Sequence, residues 1–207
     1  MRLLAIETSN PSSAGATPGV ALLDGDTCTV EPLRAGGRHD DDLMPAIDRL
    51  RPGAFDRIAV SVGPGGFTGI RVACTVANMI AEVTGCGRVA VPTALVVAQG
   101  DDRRVGVALA SKRETSHVTV IERGVIIGAS VIDAEALPDV EAIYADQFID
   151  ESFRDVARAR GVEILEPRYG PAECAAIARG LDPVEVILPI YPREPEAVRK
   201  WRELHPE

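Results

Sequence analysis

The amino-acid sequence predicts an α/β protein of two lobes, each a mixed sheet with helices packed on it. Three observations carry that prediction. Short apolar runs of strand length alternate with stretches of helical periodicity along the whole chain. Each half begins with three strand-like runs joined by short polar turns, then passes into helix–strand alternation. A polar break, Gln99-Gly100-Asp101-Asp102, separates an N-terminal lobe of residues 1–100 from a smaller C-terminal lobe of 101–207. The two halves correspond in element order, not in residues.

Leu3-Leu4-Ala5-Ile6 is a buried strand by its length and uniform apolarity, and the small, polar stretch 7–19 after it is a loop. Residues 20–23 and 27–31 flank Asp24-Gly25-Asp26 and form a hairpin. Asp40 is placed to cap a helix in which Leu43, Met44, Ile47 and Leu50 share one face. Residues 58–62 make the next strand; a glycine-rich turn follows, then a long helix over 68–84 that stops at Gly85. Val89-Ala90-Val91 is a strand ended by Pro92.

In the second half 105–110, 117–121 and 125–131 are consecutive strands, the last two joined through Glu122-Arg123-Gly124, and 142–144 is a short one. A helix over 149–160 stops at Gly161, the strand 162–165 follows, and a further helix spans 172–179. Residues 184–188 are apolar but run into Pro189, which makes them an edge strand or an extended connection. A last helix, 194–205, carries Trp201 and Leu204 and is the element expected to pack back on the N-terminal lobe.

The 207 residues are 46% hydrophobic and 26% charged, ordinary globular values that exclude a disordered or collagenous chain. Thirty-one acids against 22 bases leave a net charge of −9, a poor balance for gripping a phosphate backbone unaided. No apolar run approaches the ~18 residues of a membrane span, and Glu7 interrupts the N-terminal run too early for a signal peptide. A cytoplasmic protein without a membrane partner is expected. Cys28, Cys74, Cys86 and Cys174 have no paired spacing, and three of them lie in apolar stretches, the pattern of buried free thiols. His39, His117 and His205 have no helical metal-ligand spacing, so no metal is expected. Asp40-Asp41-Asp42 reads as a solvated helix start, Arg34 and Arg38 as solvated loop residues, and Ser12 and Ser13 lack a His/Asp partner set.

Gly63-Pro64-Gly65-Gly66-Phe67-Thr68-Gly69 is the richest segment. Its glycines, at a helix N-terminus, are able to turn backbone amides toward an anion. Yet it lacks the Gly-Lys-Ser/Thr of a P-loop and the register of Gly-x-Gly-x-x-Gly. The competing reading is a turn that lets strand and helix approach closely. In the helix that follows, Ile70, Cys74, Ala77 and Ala81 line one face and Val72, Val76, Met79 and Val83 another, with Ala73 and Ile80 between them. Arg71, Thr75, Asn78 and Glu82 are its clearly polar residues. A helix apolar round most of its circumference needs cover on two sides. Its own sheet supplies one; a second helix layer or another protein supplies the other. A subunit interface is therefore expected here.

The chain resembles the TsaB (YeaZ) family of bacterial proteins needed for the threonylcarbamoyladenosine modification of tRNA. The resemblance rests on Leu4-Ala5-Ile6-Glu7-Thr8-Ser9, on His39 before Leu43-Met44-Pro45-Ala46-Ile47-Asp48, and above all on Gly63-Pro64-Gly65-Gly66-Phe67-Thr68-Gly69-Ile70-Arg71. The last is similar to the family's Gly-Pro-Gly-Ser-Phe-Thr-Gly-(Val/Leu)-Arg, with Gly66 in the place of its serine. The likeness covers the first hundred residues.

It implies a two-lobed actin-like ATPase fold (ASKHA, RNase H-like) without an active site of its own. It also implies a scaffold role beside a TsaD-like catalytic subunit that modifies adenosine 37 of tRNAs. A TsaE-like ATPase joins the assembly, and tRNA is contacted mainly through the complex. Carried over by position, the interface residues are Phe67, Ile70, Arg71, Cys74, Ala77, Asn78 and Ala81. TsaD itself is disfavoured, because its metal site uses a His-x-x-x-His pair that this sequence lacks. Glu7, Thr8 and Ser9 resemble the opening of a vestigial phosphate loop. The matching place in the second lobe, Ala110-Ser111-Lys112-Arg113-Glu114-Thr115-Ser116, holds neither aspartate nor glycine, so no nucleotide cofactor is expected. The alternative is an enzyme of the same superfold, a small ATPase or kinase or a peptidase; homodimerisation through the same helix face is a third reading.

Overall fold

The computed structural model describes residues 1–10, 12–34, 39–193 and 196–205. The first sheet joins β1 (Arg2–Glu7), β2 (Gly19–Asp24), β3 (Thr27–Pro32), β4 (Arg57–Ser61) and β5 (Gly87–Val91) in the order β3-β2-β1-β4-β5. β1 pairs antiparallel with β2 (Leu4↔Leu22) and parallel with β4 (Leu4↔Ile58). The β2–β3 turn is tight because Gly25 takes φ +59°. The second sheet repeats this plan with β6 (Arg104–Lys112), β7 (Thr115–Glu122), β8 (Val125–Asp133), β9 (Ala142–Ala145) and β10 (Glu163–Leu165), ordered β10-β9-β6-β7-β8. In both, three antiparallel strands precede two parallel ones. The expected two-lobed α/β class, and the repetition of element order, are what the chain forms.

Strand alternation sends one set of side chains to each face of the first sheet. Leu4, Ile6, Ile58 and Val60 pack under α1 (Leu43–Leu50) and α2 (Phe67–Thr84). Leu3, Ala5, Ala59 and Val89 face the other way, onto Cys174, Ala175 and Ala178 of α5 (Pro171–Ala178). The second sheet is built likewise. Val105, Val107 and Leu109 face α3 (Thr93–Val97), while Val118, Ile143 and Ala145 face Phe153 and Ala157 of α4 (Glu151–Arg160). Helices α3 and α5 thus lie between the sheets, where α5, from the second half of the sequence, covers the first sheet.

Residues 184–190 also return to the first sheet, as an extended connection rather than a paired strand. Val184 donates its amide to Arg88 O at 2.8 Å and Ile190 donates to Val62 O at 2.8 Å. Asn78 of α2 holds the middle: its Nδ2 donates to Ile187 O at 2.9 Å and its Oδ1 accepts from Ile187 N at 3.0 Å. Ile187 is buried against α2 as a result. The last helix is α6 (Glu196–Leu204), with residues 194 and 195 outside those described. Its Val198, Trp201 and Leu204 are exposed, and Trp201 stacks on His205 at 4.8 Å.

Two expectations need correction here. α1 starts at Leu43 behind a short 3-10 turn, with Asp42 at its N-cap and the side chain of Asp40 outside the description. The Asp42 carboxylate does not cap; it accepts from Arg49 at 2.8 Å and from the Arg34 amide at 2.7 Å, and these contacts hold its pKa down to about 2. Met44, expected on the buried face, is exposed, and Ala46 is buried in its stead. Among the thiols, Cys74, Cys86 and Cys174 are buried and Cys28 is exposed.

Candidate functional site

The glycine turn is a joint pressed onto the end of β1. Gly63 takes φ +98° before a cis Gly63–Pro64 peptide bond. The amide of Gly66 donates to Ser9 O, Thr8 Oγ1 donates to Gly69 O at 3.0 Å, and Asn10 Nδ2 donates to Pro64 O at 3.3 Å. Gly63 N donates to Thr93 Oγ1 at 2.9 Å. The expectation of amides turned toward an anion is therefore corrected at Gly63 and Gly66, whose donors are spent inside the chain. Thr68, at the first turn of α2, is exposed, as is Gly66. Close approach decides this turn's composition: a Cβ on Gly65 would lie 2.1 Å from Ser9 O, and one on Gly69 2.6 Å from Thr8 O.

Glu7 closes the other side of the joint. It is buried, and its Oε1 accepts Ser9 N and Ser9 Oγ, each at 2.6 Å. Its Oε2 has no partner among the described residues. Burial raises its pKa, opposed by the Ser61 and Ser9 hydroxyls and the Ser9 amide. The sign of the linkage follows. An acid whose folded pKa is raised contributes most below the ordinary carboxyl range and penalises folding as pH climbs through the folded pKa. Glu7→Gln should therefore melt close to wild type in acid and gain on it as pH rises, by about 1.4 kcal/mol per unit of raised pKa. Melts between pH 5 and pH 8, with the difference read against pH, check this; a difference that is flat or shrinks with pH contradicts it.

Beyond Glu7 the chain itself closes the space beside the end of β1. Tyr169 is buried beside Glu7, Thr8 and Ala16, and burial drives its phenol well above the usual range. Its backbone is stitched to the loop after β1, with Thr17 N donating to Tyr169 O at 2.8 Å and Tyr169 N to Gly15 O at 3.1 Å. Gln147 ties the same loop to the second lobe, donating to Ser12 O at 2.8 Å and accepting from Ala14 N at 3.3 Å. Among the described residues no three His, Cys, Asp or Glu side chains converge as a metal site would require. None of the described helices is long and apolar enough to cross a membrane.

The second candidate surface is the outer side of α2. The sequence divides this helix into two apolar faces but not into inside and outside. Ile70, Cys74, Ala77 and Ala81, expected at a partner interface, are buried in the first lobe's own core, and burial lifts the Cys74 thiol to about 11. Asn78, expected with them, is committed to Ile187. Of that set Phe67 and Arg71 are exposed. They open a ridge at four-residue spacing, Phe67-Arg71-Thr75-Met79-Val83, exposed along its length, with Phe67 at 54%, Met79 at 64% and Val83 at 87%. The Arg71 guanidinium lies 4.8 Å over the Phe67 ring, and Phe67 meets Tyr191 at 5.2 Å. A groove of about 340 Å³ runs between this ridge and Thr68, Val72 and Val76. In the sequence Tyr191 stands out only within a Pro189-Ile190-Tyr191 ending that resembles the family's, and not as a site residue.

Comparison with known proteins agrees with this architecture. The family described as "TsaD: tRNA N6-adenosine threonylcarbamoyltransferase" matches residues 27–170. The tRNA threonylcarbamoyladenosine biosynthesis protein TsaB of Bacillus subtilis is 36% identical over 88 residues, a match that takes in 39% of this chain and 36% of that protein. YeaZ from Pseudomonas aeruginosa superposes with a TM-score of 0.70 at 22% identity, over 92% of this chain and all of that one. A second Pseudomonas aeruginosa structure, described by its similarity to peptidase YEAZ, gives 0.68 at 21% identity, over 93% and 99%. These two structures share the fold. With most of its length matched by the family and its motifs and fold matching TsaB, the chain belongs to the TsaD family as one of its TsaB (YeaZ) members.

Proposed function

We propose that this protein is a non-catalytic cytoplasmic subunit of the machinery that makes threonylcarbamoyladenosine in tRNA, holding a TsaD-like catalytic subunit against α2. One observation carries the reading: the outward ridge of α2 is exposed and mostly apolar, and continues through Phe67 into exposed Tyr191. Exposed apolar patches of this kind on a folded chain mark interaction sites. Two further observations support it. Tyr169 and the 12–17 loop close the space beside Glu7, and the net charge of −9 leaves tRNA to be held mainly by partners. A TsaE-like ATPase belongs to the same proposed assembly.

Met79→Glu and Val83→Glu test the docking face. Both side chains are exposed, so the isolated variants should melt within a few degrees of wild type. Each places a charge in the proposed apolar contact and should abolish co-purification with the organism's own TsaD-like subunit. Retention of the complex by both variants would refute the docking face.

A further inference from the structure

Resting on that docking face, we propose that it receives a helix of the partner protein that brings one carboxylate, Asp or Glu, to Arg71. The shape argues for a helix. The groove is bounded by two rows at four-residue spacing, Phe67-Arg71-Thr75 and Thr68-Val72-Val76, and a groove between such rows is what a ridge of a second helix fills. The charge argues for the carboxylate. Among the described residues Arg71 is the one ionic side chain lining that groove, and its guanidinium lies over the Phe67 ring. A guanidinium is a planar fork of N–H donors that takes a carboxylate side-on. It sits one turn into α2, whose first turn holds no acidic residue, so the helix dipole adds to its positive field.

The corner is also braced. Tyr191, against Phe67, follows the Ile190 amide that donates to Val62 O, and Asn78 fixes Ile187 upstream of it. A second copy of α2 is a poorer occupant. The exposed ridge carries no acid, and Glu82, elsewhere on the helix, pairs with Arg88 at 2.8 Å.

The experiment measures affinity of the full chain for the organism's TsaD-like subunit at low and high salt, with thermal melts of each variant as a fold control. Arg71→Ala should weaken binding by about tenfold or more at low salt and flatten its salt dependence. Arg71→Lys, which keeps charge without the planar fork, should recover part of the loss. Arg71→Glu should abolish binding, and reversal of one Asp or Glu on the partner's helix to Lys should restore it. Wild-type affinity in Arg71→Ala at every salt, with binding lost in Met79→Glu, overturns the carboxylate while leaving the docking face intact. Binding unchanged in both, or absent in wild type, overturns both. A homodimer whose dissociation tracks Arg71 assigns the groove to a second copy and overturns the partner helix.

Discussion

Ala77→Glu is expected to remove most of the protein's stability, although it alters the same helix as the harmless Met79→Glu. Ala77 is fully buried in the first lobe's core cluster, with Val60, Cys74 and Ala81. Glutamate there adds four heavy atoms beyond Cβ to a space filled at native density, and overpacking alone costs about 1–3 kcal/mol. The carboxylate must also ionise without a partner or stay protonated against its ordinary pKa, which adds several kcal/mol. Together these approach the ~5–15 kcal/mol that holds a domain folded. Denaturant unfolding and soluble yield of the pair Ala77→Glu and Met79→Glu decide the matter. Equal stability in the two variants would mean that α2 presents its small face outward. A loss of partner binding in Ala77→Glu is therefore no test of an interface, because unfolding removes the complex too.

The same contrast explains what the sequence makes legible. The hairpin at Gly25 and the stops at Gly85 and Gly161 follow from local chemistry, because φ values of +59°, +73° and +69° at those positions favour glycine whatever the surroundings. The orientation of α2 is not local. Both its faces are apolar, and the one that turns inward is the face whose alanines and Cys74 let the helix sit low on β4. The larger Met79 and Val83 remain outside for that reason, and most of the interface residues carried over from the resemblance lie in the core. Helix α3 was unread because Thr-Ala-Leu-Val-Val has strand chemistry; its position between two sheets makes it helical. Burial of Glu7, and the pairing of loop 12–17 with Tyr169, join positions more than 150 residues apart, beyond the reach of any periodicity.

Gly65→Ala carries the second large effect, because it tests the joint on which the docking face is mounted. The added methyl would stand 2.1 Å from Ser9 O and 2.8 Å from the Ser9 carbonyl carbon, both backbone atoms of the segment that Glu7 anchors through Ser9. Neither side yields as a flexible side chain would, so β1's end and the start of α2 must separate, and the Gly66–Ser9 hydrogen bond goes with them. A loss of roughly 3 kcal/mol is expected, one unmade buried hydrogen bond on top of the overpacking. Gly128→Ala is the control: its methyl meets nothing within 4 Å, and stability should hold to within about 0.5 kcal/mol. Phe67 and Arg71 begin only two and six residues further on, so Gly65→Ala should also weaken partner binding in whatever fraction stays folded. Unfolding curves of the two variants, with binding measured on the folded fraction, read out both consequences. If Gly65→Ala unfolds like wild type, the turn is not the rigid mount described, and the placement of Phe67 and Arg71 must rest on Asn78 and the 187–191 segment instead.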